Sequence, residues 1–219
     1  IWDGGNNDFP FFNPDLLITV VDPHRAGHEL TYFPGEVNLR SADVVVINKV
    51  DTAKPRDVKK VEKNILSVNS DAIIIKAASP ISVDKPELIR NKKVLVVEDG
   101  PTLTHGEMNF GAGIVAAKKY RAKRIVDPRR SVVGSLRRIY SKYPNIGPLL
   151  PAMGYGDKQI KELQRTINSA NCDSVVIATP VDLGKILKIN KPTVRVRYEL
   201  QEVSKPDLTE ILKKFIDKI

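Results

Sequence analysis

Asn48-Lys49-Val50-Asp51 follows directly on four β-branched residues, Val44, Val45, Val46 and Ile47. A carboxylate at the tip of such a strand can accept two hydrogen bonds from N1 and N2 of guanine, a donor pair that adenine lacks. Asn48 would shape the loop, and the Lys49 stem could lie along the flat face of the base. The competing reading is a strand ending in an ordinary polar turn, because four-residue motifs recur by chance. A second group, Asp22-Pro23-His24-Arg25-Ala26-Gly27-His28-Glu29, follows the apolar run 16–21. Two histidines, an arginine and two acids in so short a loop suit an anion site or a proton-transfer site. No third ligand of matching spacing stands nearby, which argues against zinc.

Asp3-Gly4-Gly5 forms a third group. Asp3 could hold Mg²⁺ through water while glycine lets the backbone approach a phosphate; a plain Gly-Gly turn accounts for the same residues. The densest polar cluster runs from Glu98 and Asp99 through Thr102, Thr104 and His105. Gly106, Gly111 and Gly113 come next and open a helix expected over 112–120, whose amino terminus suits an anion. Residues 118–138 then carry nine basic side chains, Arg129 and Arg130 among them, against the single acid Asp127, which points to an anion-facing surface. No aromatic side chains alternate with these charges, which weighs against single-stranded nucleic acid.

The elements that must position these groups alternate. Strands are expected over 16–21, 43–47, 72–75, 93–100, 146–150, 174–178 and 193–200. Helices are expected over 35–42, 54–68, 112–120, 157–168 and 206–219. In the second helix Val58, Val61, Ile65 and Leu66 keep the helical period. Alternation of this kind predicts an α/β fold with mostly parallel sheets. The pattern breaks around 84–91, so domains are expected over 1–91 and 92–219. In an open parallel sheet ligands bind at the carboxyl ends of the strands, where all of these groups except the basic segment fall.

Composition sets the outer bounds. The 219 residues are 42% hydrophobic, enough for a real core, and Cys172 alone excludes an internal disulfide. No apolar run approaches the ~20 residues of a membrane helix. The chain opens Ile1-Trp2-Asp3, with no leader and no Met, and reads as a piece of something longer. A net charge of +9 predicts an anionic partner.

Several long strings resemble cyclic 2,3-diphosphoglycerate synthetase. They lie at 2–11, 21–30 (Val-Asp-Pro-His-Arg-Ala-Gly-His-Glu-Leu), 38–51, 97–106, 150–156 and 178–183, so the resemblance covers nearly the whole chain. It implies a cytoplasmic, mostly archaeal ligase that uses ATP to join the two phosphates of 2,3-diphosphoglycerate into a cyclic anhydride, with Mg²⁺ as cofactor. Full-length members carry an amino-terminal domain and a P-loop before this region. The chain has no Gly-x-x-x-x-Gly-Lys-Ser/Thr; its Gly184-Lys185 is followed by Ile186. Residues 1–219 are therefore expected to be the second half of a P-loop NTPase-like domain plus a carboxyl-terminal α/β domain. Their partner would be the missing amino-terminal half, and a homo-oligomer is left open.

On this reading Asn48, Lys49 and Asp51, with Ala78 and Ser79 of the next loop, hold the base of ATP or GTP. Asp3 is the Mg²⁺ carboxylate, Arg25 and Arg40 are phosphate clamps, and His24 and His28 touch phosphate. Asp99, Thr102, Thr104, His105, Arg129 and Arg130 line the substrate wall. Two rivals remain: a regulatory or metal-insertion GTPase, and a basic nucleic-acid-binding module. The first sheet is expected to be incomplete, with an uncovered strand edge.

Overall fold

The strand Val44–Ile47 is buried along its entire length because it is covered on both of its own faces. We describe it from a computed structural model covering all residues except 6, 7, 101–109, 154, 155 and 219. Strand β1 (Ile18–Val21), β2 (Val44–Ile47) and β3 (Ile73–Ala78) pair in parallel, with Val44 opposite Ile18 on one side and Ile73 on the other. Side chains alternate between faces. Val45 and Ile47 pack with Leu39 of helix α1 (Phe33–Ser41) and with Val61 and Ile65 of α2 (Pro55–Val68). Val44 and Val46 pack instead with Ile75, Ala77 and Ile211, the last on the carboxyl-terminal helix Leu208–Ile216. Asn69, just past α2, ties that helix to the end of α1 by donating to the carbonyls of Leu39 and Ala42 at 3.0 and 2.8 Å.

The return of the chain end explains a division that local sequence does not mark. One unit is Ile1–Pro80 with Glu199–Ile219; the other is Ile81–Tyr198. The break at 80/81 differs from the 91/92 expected from the Asp84-Lys85-Pro86 interruption. Residues 81–83 form a strand of the second unit, and the strand Gln201–Glu202 closes the first sheet antiparallel to β3. Ile18 and Val20 of β1 lie across from Val44 and Val46. They share the face that the carboxyl-terminal helix covers, yet are 36% and 61% exposed. β1 is also the edge of its sheet, so the described residues leave an apolar strand with an open edge and an open face.

The second unit orders its sheet β4-β9-β8-β5-β6, from β4 (Ile81–Val83), β5 (Lys93–Asp99), β6 (Arg124–Ile125), β8 (Ser174–Ala178) and β9 (Thr193–Tyr198). β7 (Leu150–Ala152) pairs with the carboxyl half of β5. All pairs are parallel except β4 with β9. The α/β fold with mostly parallel sheets is thus as the sequence predicts. The strand expected at 146–150 forms later, at 150–152. Gly147 and Pro148 break the run, so Ile146 is buried from a turn, its amide donating to the Tyr143 carbonyl at 3.2 Å. No described helix is long and apolar enough to cross a membrane.

Candidate nucleotide site

In the first unit the carboxyl ends of β1, β2 and β3 bring three loops together. The Asn48 side-chain oxygen accepts the Lys49 amide at 2.8 Å, and Lys49 adopts a left-handed backbone with φ of 58°. Such a conformation costs a non-glycine residue about 1 kcal/mol, so the loop is held rather than relaxed. The hold comes from β1: the Lys49 ammonium donates to Asp22 at 2.7 Å. Asp22 also accepts the His24 amide at 3.0 Å and faces the Arg25 guanidinium at 3.5 Å. Burial alone would raise the Asp22 pKa, but the Lys49 ammonium and these hydrogen bonds outweigh it and hold the carboxyl below its ordinary value. His24 reaches Thr52 at 3.0 Å, closing the link between the first and second loops.

The third loop joins through Asp51, whose Oδ1 accepts the Ser79 amide at 3.1 Å. Val50 donates to the Ala77 carbonyl at 3.1 Å. Asn48, Lys49, Asp51 and Ser79 therefore stand together as the sequence pairing of loops anticipates. Ala78 stands differently: it is the last residue of β3, buried and paired with Gln201, so the loop begins at Ser79. The added antiparallel strand, which comes from over a hundred residues downstream, extends β3 by pairing. Asp22 is the member of this site that the sequence places in the 22–29 group without assigning it a role. Its signal was its place immediately after the buried end of β1.

The other expected residues scatter. Arg40 lies exposed on α1 in an i,i+4 pair with Glu36 at 2.7 Å. His28 packs its ring 5.0 Å from that of Tyr32. Asp3 is exposed, and the turn after it is closed by Asp8, which accepts the Gly5 amide at 2.7 Å. Among the described residues no group of three or more His, Cys, Asp or Glu could hold a metal ion. Mg²⁺ keeps several waters and takes few protein carboxylates alongside substrate phosphates, so an isolated Asp3 fits only as a partner of a bound nucleotide.

In the second unit β5 is flanked by β8 on one side and by β6 and β7 on the other, so connections diverge from its carboxyl end. Glu98 stands there, 2% exposed. The sequence places it in the densest polar cluster but gives it no role of its own. Its carboxylate accepts the Ile114 amide at 3.0 Å and the amides of Gly111 and Gly113, at the start of helix α3 (Ala112–Lys119). Burial pushes its pKa up to about 7, against the pull of those amides. A Cβ at Gly111 would sit 2.5 Å from Glu98 Oε2, and one at Gly113 would sit 2.6 Å from Val96 Cγ1. The Gly-x-Gly spacing is thus a close approach of backbone to a buried carboxylate. Asp99 is partly buried beside it; Thr102, Thr104 and His105 lie outside the described residues. Arg129 is bound to Asp127 at 2.9 Å and to the Ile146 carbonyl at 2.5 Å, with its guanidinium 4.8 Å from the Tyr140 ring centre. Arg130 is exposed at the end of the turn Pro128–Arg130.

Residues 8–76 match the model of the CobW/HypB/UreG nucleotide-binding domain. The matched stretch contains β1, β2, both helices between the strands and the Asn48–Asp51 loop, so the match takes in the first two of the clustered loops, while the loop that begins at Ser79 lies just beyond it. Over 215 residues the chain is 61% identical to a protein of Thermococcus kodakarensis called arginine synthetase ArcE. That alignment takes in 98% of this chain and 48% of the relative. The chain therefore spans about half the length of the curated relative it matches.

Proposed function

We propose that this chain is one portion of a nucleoside triphosphate-dependent ligase, with the nucleotide bound at the first unit and the second substrate at the carboxyl edge of the second. The observation that carries this is the convergence of Asn48, Lys49, Asp51 and Ser79 at one sheet edge, the first three inside the stretch matched by a nucleotide-binding family and Ser79 three residues beyond its end. The ligase reading rests on the name of the Thermococcus relative, and with it arginine as the product. The resemblance to cyclic 2,3-diphosphoglycerate synthetase supplies a second substrate assignment for the same edge. The side chains offered as its phosphate clamps and substrate wall give it little support, since Arg40 is engaged by Glu36 and Arg129 by Asp127.

The rest of such an enzyme would pack on β1, where Ile18 and Val20 stand exposed beside an open strand edge. It would also bring the backbone and lysine that hold β- and γ-phosphates, and Mg²⁺ would neutralise the charge that develops between them. A test mixes this chain with the separately expressed remaining half of the Thermococcus relative and follows complex formation. The complex is then titrated with L-arginine and with 2,3-diphosphoglycerate, each with nucleotide present. Saturable binding of arginine alone supports the arginine assignment; binding of 2,3-diphosphoglycerate alone replaces it with the cyclic anhydride. Failure to form a complex overturns the two-part reading.

Base selection is tested in the same complex. Asp51→Asn turns one accepting oxygen into a donor, so GTP should weaken while ATP stays nearly unchanged if guanine is read there. Equal loss for both nucleotides, or loss for neither, would end the guanine assignment. Losing one hydrogen bond to a charged group corresponds to about 1.5–3 kcal/mol, roughly ten- to a hundredfold in affinity.

A further inference from the structure

The basic segment that stands out in the sequence is sorted by the fold into two kinds of cation. Lys118 and Lys119 end α3, where positive charge complements the helix dipole, and the Lys119 ammonium donates to the Ile81 carbonyl at 2.6 Å. Arg129 is committed to Asp127 and Ile146, and the Arg137 guanidinium donates to the Val132 carbonyl at 3.0 Å. Arg121, Lys123 and Arg124 have no such duty. They run beside Arg90, Lys92 and Lys93, which lie some thirty residues earlier in the sequence.

The pairing is close and regular. Lys93 is in register with Arg124, the Lys92 carbonyl accepts the Lys123 amide at 2.9 Å, Asn91 donates to the Arg121 carbonyl at 3.0 Å, and Arg90 bridges Ala122. All six cations are exposed, and none makes an ion pair among the described residues. The acid that touches the strip is Asp173, whose carboxylate is held by the Lys93 amide at 2.7 Å. Arg121 has a left-handed backbone with φ of 59°. Glycine would adopt that conformation freely, whereas an arginine is carried there at about 1 kcal/mol. The strip stands at the amino-terminal end of β5, the opposite end from Glu98.

We propose that residues 90–93 and 121–124 form a docking surface for the phosphate backbone of a nucleic-acid duplex. Charge self-repulsion makes six clustered, unpaired cations a cost to the isolated fold, and a polyanion removes it. A protein partner would need an apolar centre to its interface, and Ala122 is the sole apolar residue in the strip. Phosphate needs none, and guanidinium groups match it in bidentate fashion. The strip has no aromatic side chain on which unpaired bases could stack, which selects a duplex over a single strand.

The test is fluorescence anisotropy of the full chain with a short labelled duplex of mixed sequence, in RNA and DNA versions, across a salt series. Affinity should fall steeply between about 50 and 200 mM salt, with log K against log salt sloping at about −4 to −5 if most of the six engage. Lys123→Glu with Arg124→Glu should weaken binding by about tenfold or more and flatten the slope by about two. Lys213→Glu with Lys214→Glu, on the carboxyl-terminal helix, changes net charge equally and should leave most of the affinity. Equal loss from both pairs, absence of duplex binding, or tighter binding of polyglutamate at the same salt would each overturn the proposal.

Discussion

Purified residues 1–219 should release no phosphate from ATP or GTP above background, with or without Mg²⁺. Transfer of a γ-phosphoryl group needs the β- and γ-phosphates fixed by a P-loop backbone and its lysine, with Mg²⁺ on the adjacent Ser or Thr. The chain contains no such string, and Gly184-Lys185-Ile186 lacks the hydroxyl. What it does have is the proposed base end of such a site: Asn48, Lys49, Asp51 and Ser79, braced by Asp22. Contacts to the base are made equally in the ground and transition states, so they add affinity without lowering the barrier. Addition of the other half of the Thermococcus relative should therefore raise turnover from nothing, by orders of magnitude, rather than modulate an existing rate. Mg²⁺-dependent phosphate release from residues 1–219 alone would show that a different phosphate site exists in this chain.

The second large effect is on stability and belongs to Glu98. Its pKa rises on folding, from an ordinary 4.5 to about 7. A carboxyl with a raised pKa favours the folded state when protonated. Its contribution is complete below about 4.5 and is lost as pH climbs to about 7, a change of about 3 kcal/mol. Denaturant unfolding of the second unit should show this loss between those pH values. Glu98→Gln, which cannot ionise, should remove the slope, whatever it does to absolute stability. An unchanged slope in that variant would assign the pH dependence elsewhere. Gly113→Ala tests the same packing from the other side. The new Cβ would meet Val96 Cγ1 at 2.6 Å and the Ala178 Cβ at 3.0 Å, and overpacking of this kind costs about 1–3 kcal/mol.

Much of the first unit was legible because its signals are local. Four β-branched residues in a row favour a strand covered on both sides, and β2 is that. Val58, Val61 and Ile65 recur at the helical period, and α2 follows from them with Pro55 at its start. The polar string after β2 lands at the carboxyl edge because parallel strands must all end there. The candidate base loop could thus be read before any coordinate was known.

What covers the second face of β2 could not be read locally. Ile211 reaches Val44 and Val46 from the far end of the chain, and the strand at 201–202 extends β3 through Ala78. These pairings move the boundary between units to 80/81 and turn an expected loop residue into a strand residue. The same holds for the charged groups. Asp22 finds Lys49, Glu98 finds the amides of 111, 113 and 114, and Arg129 is drawn to Asp127 and the Ile146 carbonyl. A titratable side chain takes its role from what lies within about 4 Å of it, and sequence spacing does not encode that distance once the partners are on different elements. Composition determined that this chain is basic. The register of β5 against β6 decided which of its cations stand together without partners.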